Sequence, residues 1–327
     1  MFDRINRKIE YLRISITDRC NLRCVYCMPE DGIQPLSHEE ILSYEEIIRI
    51  VKVAAELGIS KVRVTGGEPL IRKNVSRLIG EIGRIQGIND ISLTTNGVLL
   101  AKLAAELKGA GLKRLNISLD SLDPERFEQI TRGSNLPAVL DGLARAEELG
   151  FDPIKINSVS IRGFNDSEAV DFARLTIEKP LHVRFIEFMP IGARDMWDES
   201  RVVTAEELRG RISAEFGPLE KLESKGADGP ASMYRISGAK GLIGFISPLS
   251  HHFCGECNRL RLTAEGKLRP CLFSESEIDL KTPMRTGCED EEIARLIGVA
   301  LSVKPEGHQM AEGIKNKYQR TMSRIGG

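Results

Sequence analysis

Three cysteines fall within eight residues, Cys20, Cys24 and Cys27, at C-x3-C-x2-C spacing. Thiolates that close can hold one inorganic centre together but are awkwardly placed for disulfides with one another. Three ligands are one short of a closed four-cysteine cluster or zinc site, which leaves a coordination position for something else. A zinc alternative would borrow His38 as its fourth ligand. The second group, Cys254, Cys257 and Cys271, has C-x2-C-x13-C spacing, which by itself suits a zinc knuckle and an iron–sulfur site equally, with His251 and His252 close enough to complete a zinc tetrahedron. Beside it, Arg259 and Arg261 put two cations on one strand face, as an anionic substrate would require. Cys288 stands alone and reads as an ordinary buried or half-buried thiol.

The elements that must position these groups repeat. Tyr11 to Thr17 alternates apolar and polar residues as a strand does, and the first cysteine loop follows at once. Ser43-Tyr44-Glu45-Glu46 has capping-box spacing, and apolar residues recur at helical intervals up to Gly58. Strands are expected at Lys61 to Thr65, ending in Gly66-Gly67-Glu68-Pro69, and at Ile91 to Thr95, Lys113 to Leu119, Ile154 to Ile161 and Leu181 to Phe188. Helical patterns lie between them at Leu99 to Gly111, Leu136 to Gly150 and Ser167 to Glu178. Six strands alternating with helices, with no return point, predict an α/β fold built as an incomplete (β/α)6 TIM-type barrel. Beyond Pro190 the rhythm changes to an irregular stretch from Gly192 to Ser200, a helix from about Thr204 to Phe216, a loop from Ser224 to Ser232, and short strands near Tyr234 and Ile243. The expected division is a leader at 1–10, the partial barrel at 11–190, and a smaller C-terminal α+β region at 191–327 that carries the second cysteine group.

The bulk composition narrows the partners. With 46 basic and 47 acidic side chains among 327 residues, no sequence-wide charge draws the chain to nucleic acid or membrane. No apolar run reaches bilayer length, and Met1-Phe2-Asp3-Arg4 leads straight into charge, so a cytoplasmic location is expected. Seven cysteines, six of them in two tight groups, suit metal ligation in a reducing compartment better than a disulfide framework.

Parallel strands covered by helices are usually apolar on both faces, and several of these are not. Arg13 and Ser15, Lys61 and Arg63, Asn116 and Ser118, Lys155 and Asn157, and Arg184 alternate with the apolar set and would point to one common side. Either each cation pairs with a nearby acid, or the register is off by one on some strands, or the barrel interior is wide and wet and lined by Arg13, Lys61, Arg63, Lys155 and Arg184 for a multiply anionic ligand.

The C-x3-C-x2-C motif with Tyr26 before its last cysteine resembles the radical S-adenosylmethionine superfamily, whose three thiolates hold a 4Fe–4S cluster. Gly66-Gly67-Glu68-Pro69 is similar to that superfamily's contact to the methionine amino group. Within it, the run from Thr17 to Pro29, Thr94-Thr95-Asn96-Gly97, Arg184 to Met189 and the C-x2-C-x-R-x-R-x9-C arrangement resemble the GTP 3′,8-cyclase family of molybdenum cofactor biosynthesis, from about Arg4 to Gly327. The resemblance implies that Cys20, Cys24 and Cys27 hold a first 4Fe–4S cluster, and that Cys254, Cys257 and Cys271 hold a second whose free iron meets the guanine base. It implies S-adenosylmethionine contacts at Tyr26, Gly66, Gly67, Glu68, Pro69, Ser118 and Met189. GTP contacts are implied at Arg13, Lys61, Arg63, Thr94, Lys155, Arg259 and Arg261, with Arg13, Lys61 and the tail residues Gly326 and Gly327 taking part in catalysis. The implied reaction abstracts hydrogen from C3′ of GTP and closes C3′ onto C8. Implied partners are an electron donor, a downstream cyclic pyranopterin monophosphate synthase and a second copy in a homodimer. A radical peptide maturase would need more downstream cysteines and no cationic lining. A two-cluster electron carrier or zinc scaffold would explain the thiols but not Gly66 to Pro69.

Overall fold

The computed structural model describes residues 1–133, 135–191, 197–223, 229–308 and 320–326. Parts of the expected irregular stretch and loop, and Gly327, lie outside the described residues. The strands are β1 (Tyr11–Ser15), β2 (Lys61–Thr65), β3 (Asp90–Thr95), β4 (Arg114–Ser118), β5 (Ile154–Ser160), β6 (His182–Glu187), β7 (Glu220–Lys221), β8 (Ser232–Arg235), β9 (Leu242–Ile246), β10 (Arg259–Leu262), β11 (Lys267–Arg269) and β12 (Ile278–Asp279). All join one sheet in the order β12-β11-β10-β1-β2-β3-β4-β5-β6-β9-β8-β7.

The six expected strands are there and pair in sequence, all parallel. The strands of the C-terminal region extend that same sheet. β10 pairs parallel with β1 and β9 parallel with β6, giving eight consecutive parallel strands with antiparallel strands outside them. Sequence periodicity carries no sign of such long-range pairing.

The helices are α1 (Tyr44–Glu56), α2 (Val75–Gly83), α3 (Leu100–Gly109), α4 (Pro124–Thr131), α5 (Leu136–Glu148), α6 (Ala169–Glu178), α7 (Ala205–Phe216), α8 (Lys281–Arg285), α9 (Asp290–Ser302) and α10 (Met322–Ile325). At the start of α1, Ser43 Oγ accepts from the Glu46 N–H while the Glu46 carboxylate accepts from the Ser43 N–H, the reciprocal box expected from sequence. The helices α2 and α4 were not foreseen as separate elements. The apolar core includes Leu12, Ile14, Val62, Val64, Leu93, Leu115, Ile117, Ile156 and Val183 of the sheet with Ile47, Ile50 and Val51 of α1, all buried. On β1 and β2 the residues between these, Tyr11, Arg13, Lys61 and Arg63, face the other way, into the hollow of the sheet. Among the described residues no helix is long and apolar enough to cross a membrane.

Candidate active site

One cavity touches every strand from β1 to β6 as well as β9 and β10, so the sheet curls around it. Its wall includes all six paired-motif cysteines, at two opposite ends. Cys20 follows the C-terminal end of β1, whereas Cys257 precedes the N-terminal end of the parallel β10, where Arg259 stands beside Tyr11. Four residue steps of β1 separate those levels, about 13 Å of strand. The hairpin of β10 and β11 explains the long spacing within the second group. Arg261 lies opposite Arg269, so the antiparallel return brings Cys271 back toward the level of Arg259, two residues after Cys257.

At the first end, the cysteine loop is pinned by the Gly-Gly-Glu-Pro turn. The Gly67 N–H donates to Thr17 O at 2.7 Å and the Glu68 N–H to Arg19 O at 2.8 Å. A Cβ on Gly67 would fall 2.0 Å from Arg19 O, so no other residue permits this approach. The Glu68 carboxylate is buried and accepts from the N–H groups of Leu70 and Asn96 and from Thr95 Oγ1. Burial still raises its pKa to about 7. Asn96 in turn donates to Asn21 Oδ1 at 2.8 Å and reaches Cys20 Sγ at 3.8 Å. Tyr26 donates to the buried Asp120 carboxylate at 2.7 Å, and Asp120 also accepts from the Val159 N–H. Burial lifts Asp120 to about 6 against the pull of those two bonds. The thiols are pushed up too, Cys20 to about 11 and Cys27 to about 12 by burial first, and Cys24 by burial and then by the negative charge of Asp120.

At the other end the neighbours are cations. Arg261, Arg13 and Arg63 stand side by side on β10, β1 and β2, with Ser92 and then Arg114 continuing the row on β3 and β4. Like charges in adjacent positions cost stability. Burial and then the other arginines pull Arg13 well below the ordinary guanidinium range, and burial followed by Arg259 lowers Arg261 to about 9. Arg63 meets Ser92 Oγ and the Tyr11 ring, Arg259 lies over the Phe253 ring, and Arg261 donates to Gly326 O at 2.8 Å. Burial would raise Cys257, but Arg259 and then Lys304 outweigh it and bring that thiol down to about 6.

The expected site residues sort as follows. Arg13, Lys61, Arg63, Thr94, Lys155, Arg184, Arg259 and Arg261 line the cavity, as do Tyr26, Gly66, Gly67, Glu68, Ser118 and Met189. Pro69 is buried in the short turn 69–71 and is not part of the wall. Lys61 pairs with Glu10 at 2.7 Å and Arg114 with Asp90, so the paired-cation alternative holds at the N-terminal rim. Gly326 lies just behind the wall at φ +72°, where an added Cβ would meet Thr65 and Ser15 at 3.2 and 3.3 Å. The zinc alternatives lack their histidines, because His38, His251 and His252 are exposed and off the wall. His308, which sequence reading passed over, is the histidine that lines it. Also missed were Asp120 and Asn96, single polar residues at strand ends.

The wall fits the groups the cysteine motifs call for. All seven cysteines are free thiols. Thr94 Oγ1, Asn157 Oδ1 and the Tyr11 hydroxyl are buried polar atoms on the wall with no hydrogen-bond partner among the described residues, which a polar ligand would satisfy.

Two family profiles match the chain, the Radical SAM superfamily over residues 14–176 and Molybdenum Cofactor Synthesis C over 181–310. The GTP 3′,8-cyclases of Pelotomaculum thermopropionicum and Syntrophomonas wolfei are 53% and 52% identical to it over 327 residues, covering all of both chains. The chain belongs to the GTP 3′,8-cyclase family. Membership makes it a radical S-adenosylmethionine enzyme of molybdenum cofactor synthesis, whose family reaction is the 3′,8-cyclisation of GTP with 4Fe–4S clusters and S-adenosylmethionine. Among solved structures, Streptococcus suis SuiB bound to precursor peptide SuiA superposes with a TM-score of 0.62 at 15% identity, covering 95% of this chain and 74% of that one. Native anSMEcpe with bound AdoMet gives 0.57 at 14%, over 91% and 82%. Both share the fold. The full-length kinship to GTP cyclases removes the peptide-maturase and electron-carrier alternatives.

Proposed function

We propose that this cavity cyclises GTP between C3′ and C8, with its two ends dividing the work. Cys20, Cys24 and Cys27 hold the first cluster and Cys254, Cys257 and Cys271 the second. Tyr26, Gly66, Gly67, Glu68, Ser118 and Met189 seat S-adenosylmethionine at the first end. Arg13, Lys61, Arg63, Thr94, Lys155, Arg259 and Arg261 hold GTP, its triphosphate on the guanidinium row and its base toward the second triad. When bound, the clusters and S-adenosylmethionine supply a deoxyadenosyl radical for hydrogen abstraction and an electron to quench the cyclised base.

The chain's own residues orient and shield. The arginine row fixes the triphosphate by charge-assisted bonds, which leaves the ribose facing the first end. Arg13, in the middle of that row, also stabilises negative charge developing on the base. Gly326 closes the cavity beside Arg261, and the tail residues Gly326 and Gly327 take part in catalysis. Residues 11–190 act as the radical unit and 191–327 supply the substrate-side cluster. The enzyme works in the cytoplasm with an electron donor, passes its product to a cyclic pyranopterin monophosphate synthase, and pairs with a second copy.

The observation that carries this reading is the three-arginine register across β10, β1 and β2 in the same cavity as both triads. Its test is anaerobic. Reconstituted protein with S-adenosylmethionine and dithionite should form 5′-deoxyadenosine far faster with GTP than alone, and ATP should not substitute. Deoxyadenosine formation indifferent to GTP would overturn it.

A further inference from the structure

Lys304 is 1% exposed, placed just after α9, and its ammonium donates to Arg259 O at 2.8 Å and Pro270 O at 2.7 Å and reaches Cys257 Sγ at 3.7 Å. An ammonium has three donors, and all three are committed here. They link the strand that follows Cys257 to the residue before Cys271, two arms that the hairpin of β10 and β11 also joins. A buried lysine is rare unless it is paired, and the acceptors that receive this one are two carbonyls and a thiol.

The segment that carries Lys304 is itself held from the far end of the chain. Arg7 is buried, pairs with Asp3 at 2.6 Å, and donates to Cys254 O at 2.7 Å, Pro305 O at 2.7 Å and Glu306 O at 3.2 Å. One guanidinium therefore ties the first cysteine of the second group to the residues directly after Lys304. The two cations form a clasp around the second group.

We propose that Lys304 is a positioning residue for the second cluster, fixing the Cys257 and Cys271 arms and placing a positive charge against the Cys257 sulfur, so that it sets how readily that cluster accepts an electron. Hydrogen bonds and positive charge at a ligating sulfur favour the reduced cluster. The proposal rests on the reading that Cys254, Cys257 and Cys271 hold a cluster.

The experiment uses the full chain with Cys20, Cys24 and Cys27 replaced by serine, so that only the second site can load. Iron and sulfide are counted after anaerobic reconstitution, and the midpoint potential is read from the EPR signal of the reduced cluster. If this parent holds no cluster, the ligand assignment fails before Lys304 is tested. Given a loaded parent, Lys304→Met, which keeps length but removes the charge, should retain iron and shift the reduction equilibrium at least tenfold toward the oxidised form, about 59 mV for a one-electron couple. Lys304→Arg, which keeps the charge, should lie closer to the parent than Lys304→Met does. An unchanged potential in Lys304→Met with iron retained would overturn the proposal. So would equal loss of iron in both variants, which would reduce Lys304 to packing. Loss of iron in Lys304→Met alone would support it.

Discussion

The two ends of the cavity are built from the same ligand chemistry and opposite surroundings. Around Cys20, Cys24 and Cys27 the buried charges are acids: Glu68 beneath the loop and Asp120 behind Tyr26. Around Cys254, Cys257 and Cys271 the buried Arg7, Arg261 and Lys304 and the half-buried Arg259 touch or flank the thiols. Cys20 is pushed up to about 11 by burial and Cys257 is drawn down to about 6 by Arg259 and Lys304 against its burial, whereas Cys254, at the same end as Cys257, is raised by its burial. S-adenosylmethionine carries a sulfonium cation and GTP a polyanionic tail, so a cavity acidic at one end and basic at the other sorts the two ligands before any specific contact forms.

The largest effect should come from breaking the acidic end's ligand set. Cys24→Ala should abolish deoxyadenosine formation altogether, while iron falls to about half because the second triad still loads. Complete loss of iron would show that the two sites do not assemble independently. At the basic end, Arg259→Ala removes one charge-assisted contact, typically about 1.5–3 kcal/mol, so KM for GTP should rise roughly ten- to a hundredfold with iron and S-adenosylmethionine binding intact. An unchanged KM would mean that the triphosphate does not lie there.

The acidic end can also be probed by pH. Asp120 faces Tyr26, the Val159 N–H and, at longer range, Glu168. Its folded-state pKa of about 6 lies above the ordinary 3.8, so the stability it lends is full below 3.8 and is lost as the pH rises through about 6. Asp120→Asn stays neutral and can still bond both Tyr26 and Val159. Urea unfolding of the metal-free full chain should show the variant gaining on the parent by up to about 3 kcal/mol between pH 4 and 7. A difference that does not move with pH would remove the buried charge from the account. The smallest effect is expected at the tail. Gly326→Ala forces a side chain into a left-handed conformation, a strain of about 1 kcal/mol. It should slow turnover only a few-fold at unchanged iron, and a loss of iron would show that the tail holds a cluster rather than the substrate space.

What sequence could and could not reach follows from distance along the chain. The six strands, the capping box at Ser43 and the inward set Arg13, Lys61, Arg63 and Lys155 rest on local periodicity and were legible. The joining of β9 and β10 to the two flanks of the barrel was not, because parallel pairing between residues 60 positions apart, as His182 and Leu242, or 248 apart, as Tyr11 and Arg259, leaves no period to read. Arg7 and Lys304 were missed for a related reason. An isolated arginine in a polar leader, or a lysine after a helix, ordinarily sits in water, and a lysine there commonly answers the last carbonyls of its helix. Only the fold shows that both are turned inward onto the second triad. Asp120 and Asn96 were visible as strand-end residues, but nothing local says that one holds Tyr26 and the other bridges Glu68 to Cys20.

The central claim is that the two ends serve one substrate in one cavity, and Cys271→Ala tests it most directly. That variant lacks the second site but keeps every residue of the first. Measured anaerobically with S-adenosylmethionine and dithionite, its deoxyadenosine formation should no longer respond to GTP, although the first site still loads with iron and binds S-adenosylmethionine. Stimulation by GTP equal to that of the parent would contradict the account, because the basic end would then have no part in presenting GTP to the acidic one.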